Sequence, residues 1–262
     1  MTYILSCATT PNRIHNLLQL IPKILCRYKY FVINICQDYK RFGKFKIPKE
    51  LIALCRKNKR VVFQFLNDYG PICKYIGGFQ FMKKKNLSND KLIIIDDDIF
   101  YHKDLFNLLI ESKTNNNITT GSGFIYGINR KYTEVEGKSE TVEGYGGICF
   151  NCNQMNEFIF WFVEFYKFIQ NVENTIHKYL MACFLGDDFI ISNIYSDKFA
   201  VKGGRKYLQP LSYGLEADAL QNNTFFNGNM GSYLYLHKNI KILETFKYKY
   251  MLNKQIKEIS TN

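Results

Sequence analysis

The run Leu92-Ile93-Ile94-Ile95 passes directly into Asp96-Asp97-Asp98, and no other stretch limits the fold as strongly. A continuous apolar run of this length reads as a strand buried on both faces, as in a parallel sheet. The expected strand covers Ile93–Asp98, which puts the carboxylates at its carboxyl end, where open α/β sheets bind ligands. Adjacent aspartates disfavour one another's charged form. A divalent cation removes that conflict, and hard oxygen ligands suit Mg2+ or Mn2+. Mg2+ held by one or two carboxylates completes its shell with water and phosphate oxygens, so the stretch points to a cation and diphosphate site. The plain alternative is helix capping, because Asp98 precedes an expected helix near Asp104–Ser112 and Asp is a good N-cap. Capping accounts for one aspartate and leaves the others unexplained.

The segments before this strand repeat the pattern. Tyr3–Ala8 reads as a first strand, and Thr9-Thr10-Pro11-Asn12-Arg13 as the loop after it. A helix begins near Ile14, with Thr10 or Asn12 as its cap and Pro22 inside it. Hydroxyls, an arginine and a helix start after a strand suit an anion or a nucleotide. Phe31–Cys36 and Val61–Leu66 are the next strands, separated by the helix Glu50–Asn58. A helix opening in Ile72–Gly78 and running to about Lys85 follows the loop Asn67–Pro71. Strand and helix alternate, and Asp38, Asp68 and Asp96 fall at strand ends, which is the signature of a parallel sheet with crossover helices. Right-handed crossovers bring those ends to one edge. There Asp68 can meet a ribose hydroxyl or a base N–H, and Lys74 a phosphate; capping or solvent exposure explains each residue taken singly.

After the aspartates the rhythm changes. Ile118–Tyr126 has β character, Asn129–Thr141 reads as a polar hairpin, and Val142–Phe150 is a glycine-rich turn leading into a strand. Adjacent Gly146 and Gly147 allow close backbone approach to a ligand, or make a bulge. The aromatic stretch Met155–Phe168 reads as a helix packed into the core. Gly186-Asp187-Asp188 precedes a helix over Phe189–Ile194, where the helix dipole keeps paired carboxylates ionised. One of the two suffices as a cap, which leaves the other for proton transfer. Leu215–Leu220 reads as a short helix and Asn222–Ser232 as a mobile polar segment. His237 is a candidate late metal ligand, with packing the commoner role for a histidine. Lys238–Lys257 is a basic tail with interleaved apolar residues, suited to a helix, a membrane surface or a solvated face.

With 262 residues and 47% hydrophobic content the chain is long enough for one sizeable α/β domain. A net charge of +12 favours anionic partners without choosing among nucleotides, nucleic acid and anionic membranes. The eight cysteines are scattered. Cys149 and Cys152 have zinc-like spacing without a second pair beside them, which makes zinc a weak reading. No leader or spanning run is apparent, so a cytoplasmic, reduced setting is expected, either free or peripherally on a membrane.

Four places taken in order, Thr9–Arg13, Asp68-Tyr69-Gly70-Pro71-Ile72-Cys73-Lys74, the triple Asp and Gly186-Asp187-Asp188, resemble the nucleotide-sugar glycosyltransferases of the GT-A fold. They span roughly the first 200 residues. The resemblance implies one Rossmann-like domain over residues 1–262, with a nucleotide-binding half over 1–100, a donor-sugar and acceptor half over 101–240, and the basic tail over 241–262. It places Asp96 and Asp98 at the Asp-x-Asp positions as ligands of Mn2+ or Mg2+, Asp98 binding most directly. Asp97 then lies near the ribose. Thr9, Arg13 and Asp68 face the nucleoside, and Lys74 approaches ribose or diphosphate. Gly146 and Gly147 lie beside the donor sugar. Asp187 and Asp188 correspond to the family's acidic pair, usually Glu-Asp, with Asp188 as the general base. Asp187 is one methylene shorter than the usual first acid. The implied activity is hexosyl or pentosyl transfer from a nucleoside-diphosphate sugar, a UDP-sugar foremost, to a glycan or glycoprotein hydroxyl with inversion.

Other chemistries share some of these features. Metal-dependent nucleases and nucleotidyltransferases also use aspartate clusters and basic surface, although Asp68 and the distant Gly-Asp-Asp fit them less well. A non-catalytic nucleic-acid or membrane-binding module would rest on the +12 charge, with steeply salt-dependent binding. On the glycosyltransferase reading no nucleic acid is expected as a partner.

Overall fold

The apolar runs become neighbouring strands in a computed structural model that describes residues 2–24, 28–39, 43–44, 46–126, 132–156, 158–159, 162–163 and 187–211. In chain order the first elements are β1 (Tyr3–Ala8), α1 (Asn16–Ile24), β2 (Tyr30–Cys36), β3 (Asp38–Tyr39), β4 (Gly43–Lys44), α2 (Lys49–Lys57) and β5 (Val61–Leu66). Next come α3 (Cys73–Lys84), β6 (Lys91–Ile94), β7 (Ile99–Tyr101), α4 (Lys103–Glu111), β8 (Ile118–Thr120), β9 (Gly123–Tyr126) and β10 (Tyr132–Glu134). The rest are β11 (Gly137–Lys138), β12 (Thr141–Val142), β13 (Ile148–Asn151), α5 (Asp187–Ile194), β14 (Lys198–Ala200) and β15 (Leu208–Pro210).

Eight strands form the main sheet in the order β11-β14-β8-β13-β6-β1-β2-β5. β1 pairs in parallel with β2 and β6, and β2 with β5. β13 is antiparallel to both β6 and β8, and β14 is parallel to β8. Hence β8 and β14 run in the same sense as β1, β2, β5 and β6, and the sheet is mostly parallel, flanked by helices. The reversed β13 has a local cause. Its polypeptide arrives through the glycine turn at the carboxyl rim and can only run back down the sheet. Ile148 is therefore level with Ile94 on one side and Thr120 on the other.

Side chains alternate between the faces of the sheet, as a period of two requires. Ile4, Leu92, Ile94 and Phe150 join α3 (Ile76, Phe79, Met82) and α5 (Ile190, Ile191) in one buried cluster. Leu5, Ile93, Ile95 and Cys149 join α1, α2 and α4 in the other. Each buried Ile or Leu contributes roughly 1.5–3 kcal/mol, so a sheet covered on both faces explains why β6 has no polar alternation. The described part of the aromatic stretch is helical core: Phe158 and Phe162 are buried, and Phe158 lies 5.9 Å from the Tyr75 ring and 5.2 Å from Phe79. Residues 164–168 lie outside the described residues, as do Leu215–Leu220, Asn222–Ser232, His237 and the basic tail. Among the described residues no helix is long and apolar enough to cross a membrane.

Three local expectations are corrected. The strand stops at Ile94, and Asp97-Asp98 form a turn, because Ile95 is the last residue tied to β1, its N–H donating to the Ser6 carbonyl at 2.9 Å. The helix α4 is capped by His102, whose side chain accepts the Asp104 N–H at 3.4 Å, and Asp98 has no part in it. Between them runs β7, which pairs with β15. The chain thus leaves the aspartates as a ribbon and does not enter a helix at once. At the first loop, Thr10 spends its hydroxyl on Asn12 Oδ1, 2.7 Å away, and α1 starts only at Asn16.

α3 lies unusually close to the sheet. Asn34 donates from Nδ2 to Ser6 Oγ at 2.8 Å and to the Cys7 carbonyl at 2.7 Å. Its other edge faces Gly77, where an added Cβ would sit 1.6 Å from Asn34 Oδ1 and 3.1 Å from Leu66 Cδ1. Asn34 has no room to retreat, because its amide is held at both bonds. Gly77→Ala is expected to lower stability by about 1–3 kcal/mol, the usual cost of overpacking, read as a lower urea midpoint at unchanged m-value.

Candidate active site

The carboxyl rim of β1 and β6 carries the aspartates, and two cations organise them. Arg13, in the turns after β1, reaches across to Asp97 and lies 2.5 Å from Asp98 Oδ2. Asp97 is 2% exposed, and its second oxygen accepts the Thr9 hydroxyl at 2.6 Å. The Thr9 carbonyl in turn accepts the Tyr39 hydroxyl at 2.6 Å. Burial presses the Arg13 guanidinium toward neutrality, but Asp97 and Asp98 outweigh it and its pKa rises. Thr9, Arg13 and Asp97 therefore form one braced unit at the end of β1.

Lys74 is the second cation. Its backbone is fixed by Ser6 Oγ, which donates to the Lys74 carbonyl at 2.6 Å and so ties the first turn of α3 to β1. The side chain is 5% exposed, with Nζ 2.6 Å from Asp96 Oδ1 and 2.7 Å from Asp187 Oδ2. Desolvation lowers its pKa, yet Asp187 and Asp96 more than compensate, and the ammonium stays charged well above the ordinary lysine value. One buried nitrogen thus joins the strand-end aspartate to the acid at the start of α5. The Lys74–Asp187 contact is an ion pair without a well-directed hydrogen bond, which leaves Asp187 Oδ2 with unmet acceptor capacity.

Asp188 completes the rim. Its Oδ1 accepts the Gly144 N–H at 2.7 Å, and its carbonyl accepts the Ser192 hydroxyl at 2.6 Å. Burial first, and then the charge of Asp187, push the Asp188 carboxyl well above the usual carboxylate range, with Lys74 and the Gly144 N–H opposing them. Such a carboxylate is a stronger base than an exposed one. At Gly144 an added Cβ would sit 2.7 Å from Asp188 Oδ1 and 2.8 Å from Lys74 Nζ, so a side chain there would break into both contacts.

Two segments cross behind this rim. Gly121 N–H donates to the Gly146 carbonyl at 3.1 Å, and a Cβ on Gly146 would lie 2.6 Å from Ser122 N. Gly147 has φ +73°, the left-handed region that favours glycine, as the chain swings into β13. Of the glycine run, Gly144 is the residue that meets the acidic pair. Gly146 and Gly147 hold the turn that presents it.

The remaining sequence candidates are placed as follows. Asp68 lies at the end of β5, and its Oδ1 accepts the Gly70 N–H at 2.9 Å, closing the turn into α3. β1 and β2 stand between β5 and β6, so Asp68 is on the same rim but outside the aspartate cluster. Asp38 sits exposed in the β3–β4 hairpin. Cys149 is buried and Cys152 half-buried, both as free thiols. The residues that sequence reading missed are Tyr101, whose hydroxyl accepts the Asp96 N–H at 2.9 Å, Gly144 and Ser192. Only Gly144 had a signal, in the density of glycine around it.

Carboxylate oxygens are the ligand type that hard divalent cations take. Five aspartates, Asp96, Asp97, Asp98, Asp187 and Asp188, face two cations at this rim. At Asp98 burial, and after it the charge of Asp96, push the carboxyl up to about 7, with Arg13 opposing them. The ion pairs use one oxygen each of Asp96 and Asp98. Among the described residues no group of three His, Cys, Asp or Glu could cage an ion. A two-carboxylate site that borrows phosphate oxygens is the pattern Mg2+ takes.

No protein-family model matches the chain, and no curated protein sequence matches it. Solved structures with a similar chain path include 4-diphosphocytidyl-2C-methyl-D-erythritol synthase from Anaerococcus prevotii, 11% identical with a TM-score of 0.41, covering 85% of this chain and 96% of that one. Another 4-diphosphocytidyl-2C-methyl-D-erythritol synthase is 7% identical with a TM-score of 0.40, over 84% of this chain and 95% of that one. The galactosyltransferase LgtC, solved in complex with donor and acceptor sugar analogs, is 12% identical with a TM-score of 0.35, over 59% of each chain.

Proposed function

We propose that the chain is a metal-dependent glycosyltransferase of GT-A type, moving a sugar from a nucleoside-diphosphate sugar to a hydroxyl on a glycan with inversion. The observation that carries this reading is Lys74 Nζ, within hydrogen-bonding distance of both Asp96 and Asp187. It draws the strand-end aspartates and the acidic pair of α5 into one site, as a reaction needing diphosphate neutralisation and proton removal requires. Asp96 and Asp98 would hold Mn2+ or Mg2+, which when bound stabilises the charge on a leaving diphosphate. Thr9, Arg13 and Asp97 line the nucleoside side, and a UDP-sugar is the favoured donor. Asp188 takes the proton of the acceptor hydroxyl as its oxygen bonds to the anomeric carbon. The bond from that carbon to the diphosphate oxygen breaks on the opposite side, so the configuration inverts.

The test is a hydrolysis screen over UDP-, GDP- and CMP-sugars with Mn2+ and with chelator, run beside nucleoside triphosphates. Metal-dependent release of nucleoside diphosphate from a UDP-sugar is expected. Release of pyrophosphate from a triphosphate, with the sugar nucleotides untouched, would identify nucleotidyl transfer and overturn the reading.

A further inference from the structure

The Gly203-Gly204-Arg205 segment is not used by the site described above, yet it touches the turn that holds Asp188. Gly204 packs backbone to backbone on Gly121, where an added Cβ would lie 2.5 Å from the Gly121 carbonyl oxygen. This close approach fixes where Arg205 starts. Its guanidinium lies over the Phe124 ring at 5.0 Å and the Tyr145 ring at 5.6 Å. Its Nη2 lies 3.1 Å from Glu143 Oε2, and its Nε lies 3.0 Å from Ser122 Oγ and 2.5 Å from Glu134 Oε1. Glu143 Oε2 also accepts the Ser122 hydroxyl at 2.6 Å, and the Glu143 N–H donates to the Ser122 carbonyl at 3.1 Å. The next peptide N–H along the chain is that of Gly144, which donates to Asp188 Oδ1.

We infer that Arg205 is a positioning residue for Asp188: by clamping Glu143 it holds the 143–144 peptide so that its N–H aims at the carboxylate. The inference rests on the proposed role of Asp188 and adds a residue that contacts neither metal ligands nor Asp188 itself. A stacked, paired guanidinium is suited to this because its planar fork fixes direction as well as distance. The fixed N–H donor stabilises the charged carboxylate. It acts against burial, Asp187 on the same helix and Asp96 beyond β6, and alongside Lys74 from α3. Among the described residues Tyr75, also on α3, is a further titratable neighbour.

The test uses the full chain with Arg205→Ala, Arg205→Lys and Glu143→Gln, and Asp188→Asn as reference. Arg205→Ala is expected to lower kcat about 10-fold through misplacement of the base, with the donor KM unchanged. The acid limb of kcat should move to higher pH. Arg205→Lys should recover part of the loss. The Gly144 amide proton, followed by two-dimensional NMR, should lose its low-field position in Arg205→Ala even without substrate. If Arg205→Ala does not fold, Glu143→Gln carries the same expectations, because it weakens the clamp while keeping the side-chain volume. An unchanged kcat, acid limb and Gly144 resonance would overturn the proposal, as would a raised donor KM at unchanged kcat, which would place Arg205 on the substrate. An inactive Asp188→Asn beside an unaffected Arg205→Ala removes the positioning role alone. An active Asp188→Asn removes the base assignment beneath it.

Discussion

Replacing Asp188 by asparagine is expected to slow sugar transfer by about 10²–10⁴-fold, the range a positioned general base supplies, while nucleotide binding persists. The amide oxygen still accepts the Gly144 N–H, and Lys74 keeps Asp96 and Asp187, so the rim should hold its shape. Only the capacity to take a proton is lost. The same assignment sets the pH dependence. Burial and the adjacent Asp187 charge raise the Asp188 pKa, so at low pH the carboxyl is protonated and inactive. Activity should therefore rise with pH along an acid limb above the ordinary carboxylate range. Asp187→Asn removes a charge that raises this pKa, so its acid limb should move to lower pH. Full transfer by Asp188→Asn, or an acid limb at ordinary carboxylate pH, would contradict the assignment.

Lys74→Met is expected to cost about 3–5 kcal/mol of stability, because breaking a buried ion pair by removing one partner leaves uncompensated charge. The loss falls on both partners, since Asp96 and Asp187 share the one ammonium. Asp187 keeps only 11% of its side chain exposed, so water cannot easily replace the lost cation. Lys74→Arg should not restore wild-type stability, because a planar fork is longer and wider than the compact ammonium that fits between two carboxylates. Chemical denaturation measures both variants. The destabilisation of Lys74→Met should shrink at acid pH, where the unpaired carboxylates take up protons. Wild-type stability for Lys74→Met at neutral pH would show that the bridge contributes little, and the rim would need another organising contact.

The fold was legible where the chain writes it locally. Tyr3–Ala8, Phe31–Cys36 and Val61–Leu66 are apolar runs between helical periods, and they became β1, β2 and β5. The aspartates reached the strand rim because a strand buried on both faces allows charge only at its ends. β13 was not legible as an antiparallel insertion between β6 and β8, because strand order depends on pairing partners far apart in sequence. Within the site, the pairing of Arg13 with Asp97 and Asp98 brings distant segments together, and spacing carried only the residue types. Lys74 illustrates the limit most clearly. A lysine at a helix start reads as a solvent-facing phosphate ligand, since lysines are rarely buried unless paired. Its pairing with Asp187 is a tertiary fact. The bond from the Gly70 N–H to Asp68 is of the other kind, lying within one turn where neighbouring residue types carry it.

We propose that this rim binds a cation together with a nucleoside diphosphate. Titration calorimetry of UDP into the wild-type chain, with and without Mn2+, and into Asp96→Asn and Asp98→Asn, decides this. UDP should bind in the presence of Mn2+, weaken by at least about tenfold when the metal is removed, a difference of about 1.4 kcal/mol, and weaken similarly in both variants. UDP binding of equal strength with metal, without metal and after either substitution would contradict it.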